Sequence, residues 1–123
     1  MIRWLGALAL IIPATVAGQG TNQNGERAFQ RCYSCHSVTK GEHGLTGPNL
    51  NGLMNRDIAS DPDFDYSKAF KDFATRNLRW TPKLLELFLV DPQTWVPGNT
   101  MGFFGLNDAE ERAAIIAYLM ANN

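Results

Sequence analysis

The sequence has few cysteines, few histidines and almost no net charge, and each shortage argues against a class of protein. Its 123 residues include 2 cysteines and 2 histidines, and the formal net charge at pH 7 is −1. A chain this close to neutral lacks the strongly basic balance of nucleic-acid-binding proteins. Both cysteines fall in one short motif, so no spaced second pair of ligands exists for a zinc site. The chain also lacks low-complexity runs and internal repeats, and its length fits one globular domain.

The longest apolar stretch lies at the N-terminus and is too short for a typical membrane span of about 20 apolar residues. A basic start at Met1–Arg3 precedes the apolar run Trp4–Ala17, and the small residues at 15–17 suit signal-peptidase cleavage. We therefore predict a signal peptide over 1–17, a flexible leader over 18–24 and a periplasmic protein without a membrane anchor. An N-terminal anchor that is not cleaved is the alternative.

Both cysteines and one histidine lie in the run Cys32-Tyr33-Ser34-Cys35-His36, a C-x-x-C-H motif. This spacing is a sequence signature of covalent haem attachment. Two thiols at this separation can add to the two vinyl groups of one haem. The adjacent imidazole then lies under the ring, where histidine is a standard ligand of haem iron. The motif therefore predicts a haem c bound through Cys32 and Cys35, with His36 on the iron.

Three other interpretations of the motif stay open at this point. An exported protein can hold a structural disulfide, although a disulfide gives His36 no role. A thioredoxin-like redox pair needs a βαβ context, which the sequence does not show. A zinc site would have to combine Cys32, Cys35, His36 and His43.

The remaining pattern predicts an all-α domain over 25–121. The predicted helices cover 22–34, 67–76, 82–90 and 108–121, and a long loop rich in Gly, Pro, Asn and Asp covers 37–66. Thr81 and Pro82 mark the start of the third helix, and Pro92 marks its end. Asn107 is the predicted cap of the last helix, and its predicted buried face is Ile115, Ile116, Leu119 and Met120. So long a loop is reasonable in a compact domain if it wraps a cofactor.

A haem iron that one histidine ligates has one further axial position. Four side chains are candidates for it: Met54, Met101, Met120 and His43. We favour Met101, because Pro97 and Gly98 can hold its loop rigid and because Phe103 and Phe104 can shield the iron from water. A neutral thioether ligand favours the ferrous state and so raises the reduction potential.

Several segments resemble class I cytochrome c, the family of mitochondrial cytochrome c and its bacterial relatives. Beside the C-x-x-C-H motif they are Gly25-Glu26-x-x-Phe29, Gly47-Pro48-Asn49-Leu50-x-Gly52-Leu53, Pro97-Gly98-x-x-Met101-x-Phe103-x-Gly105-Leu106 and Tyr118-Leu119. The resemblance implies a single-domain cytochrome c fold of three to five helices, with long loops around one haem. It also implies that the first and last helices cross at Gly25 and Phe29.

The resemblance gives single residues specific roles. Met101 becomes the second iron ligand, and the Pro48 carbonyl accepts a hydrogen bond from the His36 imidazole. The other implied haem contacts are Arg56, Tyr66 and Trp80 around the propionates and Phe103 beside the exposed edge. Guanidinium, phenol and indole N–H groups are all donors, which buried carboxylates require.

The resemblance further implies an electron carrier rather than an enzyme, since both axial positions are filled. We expect a monomer of the respiratory chain that makes brief contacts with redox proteins. Its donor would be a partner such as a cytochrome bc complex or a dehydrogenase, and its acceptor a partner such as a terminal oxidase. One alternative is an electron-accepting cytochrome subunit of a periplasmic dehydrogenase complex. Another is an enzyme or sensor in which Met101 leaves the iron.

Two departures from the mitochondrial pattern change the expected fine structure. Phe88 stands where those proteins carry a tyrosine that contacts the ligand sulfur. Gln93, Thr94 and Thr100 stand where they carry lysines that dock acidic partners. We therefore expect a partner surface that is less charged than in the mitochondrial proteins.

Overall fold

Five α-helices joined by long loops make up the part of the chain that the computed structural model describes, residues 19–123 with side chains from residue 22 onward. They are α1 (Gln19–Phe29), α2 (Lys68–Arg76), α3 (Pro82–Val90), α4 (Pro92–Trp95) and α5 (Ala109–Ala121), and a short 3-10 helix covers Leu53–Asn55. Over the described residues the only β-type pairing is an isolated bridge between Asp57 and Arg79. The predicted all-α fold is therefore confirmed. The predicted signal peptide over 1–17 lies outside the described residues.

The first helix begins and ends earlier than the sequence pattern predicts. It starts at Gln19, so residues 19–24 are helical rather than a flexible leader. It ends at Phe29 because the next backbone donors reach only three residues back, as Cys32 N–H does to the Phe29 carbonyl at 2.8 Å. Such bonds tighten the helix end into turns. The motif from Cys32 to His36 therefore lies in turns directly after α1.

Polar side chains cap the N-termini of the other helices. Ser67 caps α2, and Thr81 Oγ1 caps α3 by accepting from Leu84 N–H at 3.1 Å. The predicted bounds of α3 are confirmed, because Thr81, Pro82 and Pro92 all act as the pattern indicates. The predicted cap of the last helix is wrong by one residue. Asp108 Oδ1, rather than Asn107, accepts from the first backbone N–H groups of α5 at 2.9 Å.

Helices α1 and α5 form the most extensive contact between elements in the described chain. They approach so closely at Gly25 that an added Cβ would lie 2.7 Å from Tyr118 Cβ and 2.9 Å from the Ala114 carbonyl oxygen. Phe29 packs one turn further on, with its ring centroid 5.2 Å from that of Tyr118. The crossing implied by the resemblance is therefore present, and glycine is required there because no side chain fits between the helices.

The core combines the buried faces of α3 and α5 with the buried aromatic rings of Phe29 on α1, Phe73 on α2 and Trp80 directly before α3. Leu85, Phe88 and Leu89 are buried on α3, and Ile115, Ile116 and Leu119 are buried on α5. The prediction that Met120 belongs to this face is wrong, since its side chain is 49% exposed. One residue past Leu119, the helix has turned by about 100°, which carries Met120 to the solvent side. None of the described helices is long and apolar enough to span a bilayer.

Candidate functional site

A largely apolar cavity lies between the long loop 37–66, helices α2 and α3, and the loop that carries Met101. Including its open mouth, it encloses about 920 Å³ of empty space. Of the predicted site residues, Cys35, His36, Pro48, Arg56, Tyr66, Trp80 and Met101 line it. Its other walls include Leu50, Leu53, Phe70, Leu85, Phe88 and Leu119. Residues far apart in sequence thus converge on one apolar space.

The imidazole of His36 is fixed at the cavity wall by a single strong hydrogen bond. Its Nδ1 lies 2.7 Å from the Pro48 carbonyl oxygen. A carbonyl only accepts, so Nδ1 carries the hydrogen and Nε2 keeps its lone pair. Burial lowers the pKa of His36, although the Pro48 hydrogen bond partly opposes that effect. The ring is therefore neutral at pH 7, which is the form that binds a metal.

Because Gly47 has no side chain, the loop backbone can lie in close contact with the His36 ring. A Cβ at this position would lie 2.5 Å from His36 Cε1 and 2.8 Å from Nδ1. The Gly47 N–H also donates to the Cys35 carbonyl at 2.8 Å. The loop and the motif are therefore held together on both sides of the imidazole. Any residue with a side chain at position 47 would displace the ring.

The two cysteines are free thiols placed on either side of a turn. Cys35 lines the cavity, whereas Cys32 packs against the core beside it. Burial raises the pKa of the Cys32 thiol to about 11. A reactive dithiol needs a lowered pKa, so this environment does not favour a thioredoxin-like redox pair. It suits thiols that end as buried thioethers.

The zinc interpretation of the motif finds no support in the described residues. His43 lies on the surface, where its imidazole contacts Asp61 and Asp63 at 3.9 and 3.3 Å. These three residues form the only described cluster of three or more potential metal ligands, and it includes neither cysteine. His43 is also absent from the residues that line the cavity, so it cannot reach a metal held there.

Met101 is the only methionine among the residues that line the cavity. Met54 packs against the core from outside the cavity wall, and Met120 faces solvent. A buried asparagine holds the Met101 backbone in place, because Asn99 Oδ1 accepts from Met101 N–H at 2.9 Å. The Asn99 amide also donates to the carbonyls of Pro92 and Val96 at 3.0 and 2.9 Å. These bonds fasten the Met101 loop to helix α4.

Arg56 and Tyr66 bring polar groups to the mouth of the cavity. The Arg56 guanidinium donates to the carbonyls of Asn49 and Asn51, the latter at 3.1 Å. The Tyr66 hydroxyl accepts from Asp61 N–H at 3.1 Å, which leaves its own proton free to donate. Burial raises the pKa of Tyr66, so it stays protonated at neutral pH. A cation and a free donor therefore lie in the cavity wall, where they can bind an acidic group.

Asn49 is the residue that sequence reasoning missed. It is 6% exposed, and its side-chain amide donates to the carbonyls of Thr39 and Glu42 at 2.7 and 2.8 Å. Its backbone N–H donates to the carboxylate of buried Asp61 at 2.9 Å. Asn49 thus ties three parts of the long loop together beside Pro48. Asn49 lies in one of the segments that carry the family resemblance, but its role was missed, because an asparagine in a loop is equally typical of a turn residue.

The two adjacent phenylalanines after Met101 lie in different environments. Phe103 is half-buried and packs against the core, outside the residues that line the cavity. Phe104 is 91% exposed. The interpretation that Phe104 shields the site from water is therefore wrong, and Phe103, predicted as a haem contact, packs against the core without lining the cavity. The glycines on either side, Gly102 and Gly105, offer no side chain that covers Phe104.

The residues present fit a haem. The cavity offers a neutral imidazole with a free Nε2 and a thioether sulfur, which together match a common axial ligand set of haem iron. Apolar walls suit the porphyrin ring, and donors at the mouth suit its carboxylates. The pair of free thiols next to His36 would supply a covalent attachment.

Comparison with known proteins places the chain in one family. The family model for cytochrome c matches residues 22–123. A cytochrome c2 of Agrobacterium tumefaciens (strain II Chrys) is 41% identical over 102 residues, which cover 83% of this chain and 92% of that protein. A cytochrome c2 of Afifella marina is 41% identical over 95 residues, 77% of each chain. A cytochrome c of Sesamum indicum is 40% identical over 104 residues, 84% of this chain and 91% of that protein. This chain therefore belongs to the cytochrome c family.

Proposed function

We propose that this chain carries single electrons between redox proteins through one haem c, attached at Cys32 and Cys35, with His36 and Met101 as the two iron ligands. The single observation that carries the proposal is that the His36 imidazole and Met101 line the same apolar cavity, with the imidazole oriented by Pro48. Membership of the cytochrome c family implies the covalently bound haem and its iron. The relatives named cytochrome c2 support an electron-carrying role.

When bound, the haem supplies a one-electron couple between ferric and ferrous iron. The residues of the chain would hold the haem, orient its two ligands and shield it from water. Pro48 fixes the His36 ring and makes its free nitrogen more basic. Asn99 holds Met101, whose neutral sulfur favours the reduced state. Arg56, Tyr66 and Trp80 supply donors for carboxylates, and the apolar walls exclude water.

If His36 and Met101 both hold the iron, no ligand position would be left on it for a substrate. This is why we propose a carrier rather than an enzyme.

The proposal includes export to the periplasm, cleavage of a signal peptide formed by residues 1–17, and no membrane anchor. The partners would be a donor such as a cytochrome bc complex or dehydrogenase and an acceptor such as a terminal oxidase. The monomer would bind each of them weakly, so that it can leave quickly after the electron passes.

Expression of the full chain in a host that attaches haem to C-x-x-C-H motifs tests the proposal. The mass of the purified protein should equal one haem plus a polypeptide that begins near Gly18. A redox titration should then show one reversible single-electron step. Cys32→Ala combined with Cys35→Ala should yield protein without covalent haem, whereas Ser34→Ala, between the two cysteines, should load normally. Two haems, no haem, or an irreversible titration would contradict the proposal.

A further inference from the structure

Phe104 presents an almost fully exposed aromatic ring next to the proposed electron-transfer site. Its side chain is 91% exposed, although Met101, three residues earlier, lines the cavity. Large aromatic side chains bury much area in contacts and are enriched where protein interfaces have their strongest contacts. A ring left in water beside a functional site is therefore a candidate contact for another protein.

Other exposed apolar residues lie in the chain segments around Phe104. Val90 is 38% exposed and Trp95 is 39% exposed. The segment after Phe104 contacts the end of α3, because Leu106 N–H donates to the Leu89 carbonyl at 2.8 Å. Phe104 and Val90 thus lie on neighbouring stretches of backbone. An isolated exposed apolar residue is ordinary, but several beside a functional site mark an interaction surface.

The same segment carries almost no charge that can attract a partner. Between positions 90 and 107 the only ionised side chain is Asp91, whose carboxylate is occupied by the backbone and hydroxyl of Thr94 at 3.1 and 2.7 Å. Many cations elsewhere on the described surface are already paired with acids. These pairs are Arg31–Glu111, Lys68–Asp72, Lys71–Asp65, Arg79–Asp57, Lys83–Glu86 and Arg112–Glu86. The segment around Phe104 therefore offers little for electrostatic steering.

We propose that Phe104 is the anchor by which this protein docks on a redox partner, and that the partner presents an uncharged apolar pocket at its electron-entry point. This deepens the proposed electron-carrier function and rests on it. Docking places Phe104 in the partner's pocket, with Val90 on the neighbouring stretch of backbone and the Met101 loop facing the partner. One electron leaves the reduced protein for the partner, and no atom is transferred. Since no charge pair contributes, the association rate depends weakly on salt.

The probe for the test is a preparation of respiratory membranes from the organism that encodes the chain, with oxygen as final acceptor. The reduced holoprotein is mixed with these membranes, and its oxidation rate is followed in low and in high salt. Phe104→Ala should slow oxidation about tenfold, which matches the loss of one strong interface contact. Leu78→Ala is the matched control, because Leu78 is 66% exposed and lies between α2 and α3. It should change the rate less than about twofold.

Ferricyanide, a small soluble oxidant, separates failure of docking from failure of electron transfer. All three proteins should be oxidised by it at the same rate. The docking proposal is overturned if Phe104→Ala and Leu78→Ala behave alike with membranes, if the native rate falls about tenfold between low and high salt, or if membranes fail where ferricyanide succeeds. If ferricyanide also fails, the electron-carrier function itself is wrong and the docking proposal falls with it.

Discussion

The side-chain oxygen of Asn99 accepts a hydrogen bond from the backbone N–H of Met101 at 2.9 Å. Asn99 is 7% exposed, and its amide nitrogen donates to two carbonyls, those of Pro92 in α4 and of Val96 directly after it. The Met101 loop therefore owes its position to one buried side chain rather than to regular secondary structure. A second contact supports the same loop, because Gln93 Nε2 donates to the Asn99 carbonyl at 3.1 Å.

Replacement of Asn99 should loosen Met101 before it unfolds the protein. Asn99→Ala leaves the Met101 N–H without its acceptor and removes one of the two donors to each of the Pro92 and Val96 carbonyls, which should lower the free energy of unfolding by about 2 kcal/mol. In a urea titration, the absorption band of methionine-bound ferric iron should disappear at lower urea than the helical circular dichroism. Gln93→Ala, which removes only an outer bond, should cost about 1 kcal/mol or less. Simultaneous loss of both signals in Asn99→Ala would show that Asn99 has only a general structural role.

Alanine substitutions at two closely packed glycines should have different effects, one on iron ligation and the other on helix packing. Gly47→Ala places a methyl group against the His36 ring and should disturb iron ligation, which absorbance spectra report. Gly25→Ala forces α1 and α5 apart and should destabilise the fold by about 1–3 kcal/mol without altering the spectrum. Unchanged ligation in Gly47→Ala, or altered ligation in Gly25→Ala, would contradict the roles assigned to these contacts.

Loss of the Arg56 charge should lower the reduction potential. A cation near the site disfavours the more positive ferric state, so Arg56→Gln should stabilise that state and shift the potential downward by on the order of 50 mV. Arg76→Gln, at an exposed position at the end of α2, is the control and should shift it far less. The measurement is a spectroelectrochemical titration of both variants at one ionic strength. Equal shifts in the two variants would contradict a specific role for Arg56.

Tyr66 should make stability depend on pH only in the alkaline range. Burial raises its pKa, so the folded state keeps the phenol proton longer than the unfolded state does. The stability from this group is present below the unfolded pKa of about 10 and is lost as the pH rises through the folded value. Tyr66→Phe should cost about 1 kcal/mol at pH 7 through its lost hydrogen bond to Asp61 N–H. The gap between the two proteins should narrow above about pH 10, and a constant gap would contradict this account.

Local signals in the sequence predicted the parts of this molecule that local chemistry determines. The bounds of α3 follow from Thr81, Pro82 and Pro92, whose effects act within one helical turn. The motif that places Cys35 and His36 together is equally local. In contrast, the sequence pattern did not predict α4, because its four residues are too few to show helical periodicity.

Long-range contacts explain what the sequence did not show. The importance of Asn49 depends on Thr39, Glu42 and Asp61, which only the folded loop brings to it. The contact of Asn99 is of the same kind, since its carbonyl partners Pro92 and Val96 lie in, and directly after, a helix that the pattern missed. The exposure of Phe104 could not be predicted from the sequence either. Two adjacent phenylalanines look alike in sequence, and only the path of the loop decides which one meets water.

The most direct test of the central claim is the weak red absorption band that a methionine sulfur gives to ferric haem iron, recorded at neutral pH for the native protein and for two leucine variants. We predict the band in the native protein and in Met54→Leu, and its loss in Met101→Leu, because Met101 is the only methionine that lines the cavity in the described chain. A band that survives in Met101→Leu, or is absent from the native holoprotein, would contradict the proposed ligand pair of His36 and Met101.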